Sequence, residues 1–192
     1  MAFLVIVLAA CSTSGNNTAA FSRPLVPNLR TLLIAAHQMP RGYSATASAD
    51  SGIAPCHFEQ VITTGALRTA RASFASTTLG TMVFSELLVA QLKERTKATF
   101  SKAVERLRSC HRFATGESGL GPMTGQAFPF PSVGEASAGF VFVVSVGGVK
   151  VPQYLDIARF AGVLATFSGI GGSTSQFETL LKTASAKIEK VL

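Results

Sequence analysis

Three cysteines, three histidines and ten carboxylates are the residues with which this 192-residue chain could do chemistry. Cys56 and Cys110 are each followed by histidine, His57 and His111, which raises the question of a Cys2His2 metal centre. Such centres draw their ligands from closely spaced pairs, and adjacent residues on a strand point to opposite faces, so no metal site is expected, and no cofactor. His37, His57 and His111 lie in no motif and read as surface or structural residues. The nucleophile elbow, the zinc-protease HExxH, the phosphate loop and the dinucleotide fingerprint are all missing, so no catalytic residue is assigned. Among the carboxylates, Glu86 and Asp156 stand out because each interrupts an apolar strand. Both are expected at solvent-facing positions of alternating strands. Gly171-Gly172 precedes a helix start and is expected to serve a tight turn rather than an anion cradle.

The address lies at the start of the chain. Residues 3–10 (FLVIVLAA) form a short apolar stretch ending in small residues, followed by Cys11 and the small, polar run 12–20 (STSGNNTAA). Leu8-Ala9-Ala10-Cys11 resembles the bacterial lipobox, in which the cysteine becomes the acylated first residue of the mature protein. The one departure is that no Lys or Arg precedes the apolar stretch, as follows if the natural chain begins further upstream. The expected organisation is a signal segment over 1–10, a tether over 11–24 with lipid on Cys11, and a single domain over 25–192. Acyl chains contribute about 0.8 kcal/mol per buried methylene, which anchors a protein without a spanning helix. No apolar run reaches the length that such a helix needs.

With Cys11 assigned to lipid, Cys56 and Cys110 remain as an even pair in an oxidising compartment, and a disulfide is expected between them. The alternative is two buried free thiols. A bridge closing about 55 residues would stabilise the fold by roughly 4 kcal/mol in the chain-entropy picture. The chain is 47% hydrophobic and 14% charged, which excludes intrinsic disorder. Its formal charge of +7 is scattered without a basic block, so nucleic acid is not an expected partner.

Several elements must position these residues. Over 25–36, Leu25, Leu29, Leu32, Leu33 and Ala36 recur at steps of three and four and predict a helix, ended by Met39-Pro40. Strands are expected over 43–48, 70–76 and 81–90. The clearest helix is 91–110, with Leu92, Thr96, Phe100, Ala103, Leu107 and Cys110 on one stripe. Its opposite, cationic face is expected to be solvated and laced with local ion pairs. Segments 113–115, 123–128, 139–146 and 154–168 read as an antiparallel meander whose third member, apolar on both faces, is central. Ser175 and Glu178 have capping-box spacing and open a last helix carrying Phe177, Leu181, Ala184, Ile188 and Val191. The expected fold class is α+β: an antiparallel sheet of about six strands with helices packed on one face, in a single domain.

The order of features resembles a broad group of actinobacterial, mycobacterial-type extracytoplasmic lipoproteins and sensor-domain proteins, similar in style to the extracellular domain of PknH-type receptor kinases. The stretches carrying the resemblance are 29–43 (LRTLLIAAHQMPRGY), 107–113 (LRSCHRF), 133–137 (VGEAS) and 159–162 (RFAG). Glu135 stands where Asp is commoner, and no Asn follows Gly162. The resemblance implies ligand sensing or envelope binding, with the protein outside the cell membrane and held to it by lipid.

The expected function is therefore a non-catalytic, lipid-anchored binding or sensor module for an envelope lipid, glycan or small ligand. Its expected partners are the membrane, an apolar or envelope-derived ligand and an envelope protein. The alternative is a secreted hydrolase or transferase acting on envelope material.

Overall fold

The computed structural model describes residues 27–47, 55–76, 82–113 and 123–192. Within them run strands β1 (Tyr43–Ala45), β2 (Arg68–Ser76), β3 (Val83–Ala90), β4 (Arg112–Phe113), β5 (Met123–Phe128), β6 (Ala136–Val146), β7 (Val149–Phe160) and β8 (Val163–Ile170). The helices are α1 (Leu29–Leu32), α2 (Phe58–Thr63), α3 (Lys93–Arg108) and α4 (Thr174–Val191). The expected signal segment over 1–10, Cys11 and the expected tether over 11–24 lie outside the described residues.

All eight strands join one antiparallel sheet in the order β1-β2-β3-β8-β7-β6-β5-β4. The order follows from one long connection. After β3, α3 carries the chain to the far edge; β4 to β8 then return as a meander and leave β8 between β3 and β7. The β6–β7 hairpin turns on Gly147 and Gly148, both at positive φ, which glycine adopts without steric cost.

This path places helices on both faces of the sheet, not on one as the sequence suggests. The crossover helix α3 must span one face, so α4, leaving β8, buries its stripe on the other. Alternation along the strands separates two cores accordingly. On the α4 face Phe84, Leu88, Tyr154, Ala158, Phe167, Phe177 and Leu181 pack together with Leu29 and Leu32 of α1. On the α3 face Leu87, Val89, Phe140, Phe142, Leu155 and Ile157 pack against Phe58, Ala103 and Leu107. The most enclosed strand is β8, the pivot between the two chain halves, whereas β6 is third from the β4 edge.

Two helices differ in their limits from the sequence pattern. The first is only α1, capped at its start by Asn28, whose side chain accepts from the Arg30 N–H. It ends early because Leu33 turns extended and the Ile34 N–H donates to the Glu86 carboxyl at 2.8 Å instead of to a helix carbonyl. The last helix opens two residues before the expected box: Ser173 is the cap, and the reciprocal partner is Gln176, not Glu178. Val191 lies exposed at its end.

Cys56 and Cys110 are joined, with Cα atoms 6.0 Å apart, tying the start of α2 to the end of α3 across 54 positions. No helix among the described residues is long and apolar enough to cross a membrane.

Candidate functional site

Glu86 and Asp156, expected to face solvent, are sealed in the core at 0% and 1% exposure. Register explains why. Phe167 pairs with Glu86 on one side and with Asp156 on the other, and cross-strand partners share a face. The row continues through Gly139, paired with Asp156, to Phe128. All of it therefore lies on the α4 face, between the apolar rows that include Phe84 and Leu88 on β3 and Tyr154 and Ala158 on β7.

Both carboxyls are pushed up to about 8, chiefly by burial; for Glu86 the Ile34 N–H and the charge of Lys187 offset part of that effect. Each is thus mostly protonated at neutral pH. Among the described residues, Glu86 Oε1 and Asp156 Oδ1 have no hydrogen-bond partner. The Phe130 ring fills the space a side chain would take at Gly139, where a Cβ would meet it at 2.4 Å. Asp156 is hence hemmed by Phe167 and the Phe130-covered glycine.

Glu86 also holds backbone. The peptide unit between Leu33 and Ile34 is gripped at both ends: its N–H donates to Glu86, and its C=O accepts from the Lys187 ammonium of α4. One peptide group thereby links α1, β3 and α4. Closed off from solvent, neither carboxyl can reach a substrate, so the pair offers no acid–base chemistry in this state.

Two of the four stretches that carry the resemblance, 133–137 and 159–162, meet in space. The Glu135 carboxylate bonds the Arg159 guanidinium at 2.5 Å and accepts from the Ala161 N–H at 3.2 Å. Glu135 N–H donates to the Arg159 carbonyl at 2.8 Å, and Ser137 Oγ accepts from the Val133 N–H. Residues 133–137 and 159–162 therefore stitch the β7–β8 turn, where Ala161 has a positive φ of 43°. Their role here is scaffolding.

The histidines do not converge: His37, His57 and His111 are all exposed. Among the described residues no three of His, Cys, Asp and Glu are placed to hold a metal ion. At Gly171-Gly172 the turn is filled from within, since Gln176 Oε1 and Met82 Cβ stand 2.6 and 3.1 Å from where a Gly172 Cβ would be.

An open groove of about 500 Å³ lies beside the disulfide, between α2 and α3. His57, Gln60 and Thr64 line one wall and Lys102, Glu105 and Arg106 the other. Two consecutive non-glycine residues at its rim, Cys56 and His57, have left-handed φ of 52° and 57°. Such conformations cost about 1–3 kcal/mol each and persist only where surroundings enforce them. Here the bridge to Cys110 and the Arg106 Nε bond to the Cys56 carbonyl at 2.9 Å enforce them. The ion pairs expected along α3 are not formed: among the described residues the salt bridges are Arg71–Glu59 and Arg159–Glu135. The sequence signal for this groove is that Lys102 and Arg106, one turn apart, precede a cysteine that brings a second helix alongside. An apolar groove of about 520 Å³, lined in part by Pro27, Leu67, Leu92, Val163 and Leu192, lies at the end of the sheet.

No family model matches the chain, and no curated protein matches it in sequence. In fold it is similar to the extracellular domain of PknH from Mycobacterium tuberculosis, with a TM-score of 0.61. That likeness covers 84% of this chain and 94% of that one at 10% identity. It establishes a shared antiparallel α+β fold.

Proposed function

We propose that this chain is a non-catalytic, extracytoplasmic binding or sensor module, held to the outer face of the cell membrane by lipid on Cys11. The observation that carries the reading is the Cys56–Cys110 bond, in a fold like that of an extracellular domain. A bridge of this kind persists where the surroundings are oxidising. The Leu8-Ala9-Ala10-Cys11 sequence supplies the anchor, and the groove walled by α2 and α3 offers an open surface for an envelope-derived ligand. A hydrolase or transferase working through converging carboxylates would need them in an open cleft, and Glu86 and Asp156, on either side of Phe167, are closed to solvent.

Metabolic labelling with an alkyne fatty acid, in an actinobacterial host expressing the chain with its natural upstream region, tests this. Label is expected on the wild type and not on Cys11→Ala, with the protein digested by protease added to intact spheroplasts. An unlabelled, protected protein would overturn the reading.

A further inference from the structure

On the reading that this is a ligand-binding module, we propose that the groove between α2 and α3 binds a phosphorylated sugar or polyol. The lining divides into two kinds of group. Lys102 and Arg106, one turn apart on α3, carry ammonium and guanidinium ends that no carboxylate pairs among the described residues, and the Gln60 amide adds a neutral donor. Ammonium and forked guanidinium groups of this kind suit phosphate oxygens.

The other groups offer acceptors. The Thr64 hydroxyl already donates to the Gln60 carbonyl at 2.6 Å, and that of Ser109 to the Arg106 carbonyl at 3.0 Å. What each presents to a ligand is therefore a lone pair. With the Glu105 carboxylate, these acceptors call for ligand hydroxyls. Two cations on α3, with the Glu105 carboxylate beside them and a committed hydroxyl on each wall, Thr64 on one and Ser109 on the other, describe a ligand that joins an anion to several OH groups. The partial negative charge at the α3 C-terminus is offset by Arg106 and Arg108 in its last turn. The locked left-handed pair at Cys56–His57 fixes the α2 wall before any ligand arrives, which lowers the ordering cost of binding.

Phosphorylated polyols occur both free and as lipid headgroups, and one experiment separates them. The full, disulfide-bonded chain is titrated by two-dimensional amide NMR with glucose 6-phosphate, glucose and inorganic phosphate, and in parallel sedimented with phosphatidylcholine vesicles with and without phosphatidylinositol. Saturable shifts confined to residues 57–64 and 102–109 are expected with glucose 6-phosphate, at an affinity about tenfold above that for either fragment. Lys102→Glu should weaken binding by about tenfold or more, while Lys97→Glu, on another side of α3, should leave it unchanged. Binding seen only with phosphatidylinositol vesicles, and lost in Lys102→Glu, would assign the ligand to a lipid headgroup. Shifts spread over basic residues generally, equal affinity for phosphate and glucose 6-phosphate, or no binding in either arm would overturn the proposal. The lipid anchor is read by labelling and mass, so its fate is decided separately.

Discussion

Glu86 and Asp156 flank Phe167 on one row of the sheet, each its direct cross-strand partner, and both carboxyls are buried under α4. In the unfolded chain Glu and Asp carboxyls titrate at 4.5 and 3.8, and in the fold both titrate at about 8. Between those limits the native state holds more protons than the unfolded one, so stability is full below the unfolded values and falls as pH rises toward 8. Above that it levels off. The melting temperature should therefore drop from pH 4.5 to 8. Asp156→Asn, which keeps the shape without the charge, should remove about half of the drop seen by circular dichroism. An unchanged slope would mean that Asp156 ionises freely.

The doubly held Leu33–Ile34 peptide predicts a second effect. Lys187→Met leaves the Leu33 carbonyl without its ammonium partner and should cost about 1–3 kcal/mol in urea unfolding. Hydrogen exchange at the Ile34 amide should quicken in Glu86→Leu, which removes its acceptor, before exchange quickens in β8.

Two glycines make room for rings. A Cβ at Gly125 would lie 2.2 Å from the Phe142 ring, and one at Gly139 would lie 2.5 Å from the Phe128 carbonyl. Gly125→Ala and Gly139→Ala should each destabilise by about 1–3 kcal/mol, or block folding, as overpacking does. Gly147→Ala meets nothing within 4 Å and has only its positive φ against it, so about 1 kcal/mol is expected. Thermal melts of the three variants decide this.

Reducing the Cys56–Cys110 bridge should lower unfolding free energy by about 4 kcal/mol, the loop-closure value for this separation. It should also release the left-handed pair at Cys56–His57. Guanidinium titrations with and without reductant measure the first effect, and amide NMR of His57 follows the second.

Much of this fold was legible because periodicity reports local faces. The stripe from Thr96 to Cys110 located α3, and its last member fell where the bridge forms. The buried carboxyls were misjudged although the signal was present. Phe84 and Leu88 sit two positions either side of Glu86, as Tyr154 and Ala158 do about Asp156, so each acid belonged to the apolar face. A strand apolar on both sides hides that parity. The two-faced placement of helices depends on β8 inserting between β3 and β7, a non-local pairing that no local pattern encodes. The groove was missed for the same reason, since α2 meets α3 through non-local contacts, the Cys56–Cys110 bridge and the packing of Phe58 and Ile62 with Ala103 and Leu107.

Intact mass spectrometry of the chain, expressed with its natural upstream region in an actinobacterial host, tests an anchored, extracytoplasmic module most directly. The predicted result is a chain beginning at Cys11, heavier by its acyl groups and lighter by the two hydrogens lost when Cys56 and Cys110 join. An unacylated chain with both thiols free would contradict the account.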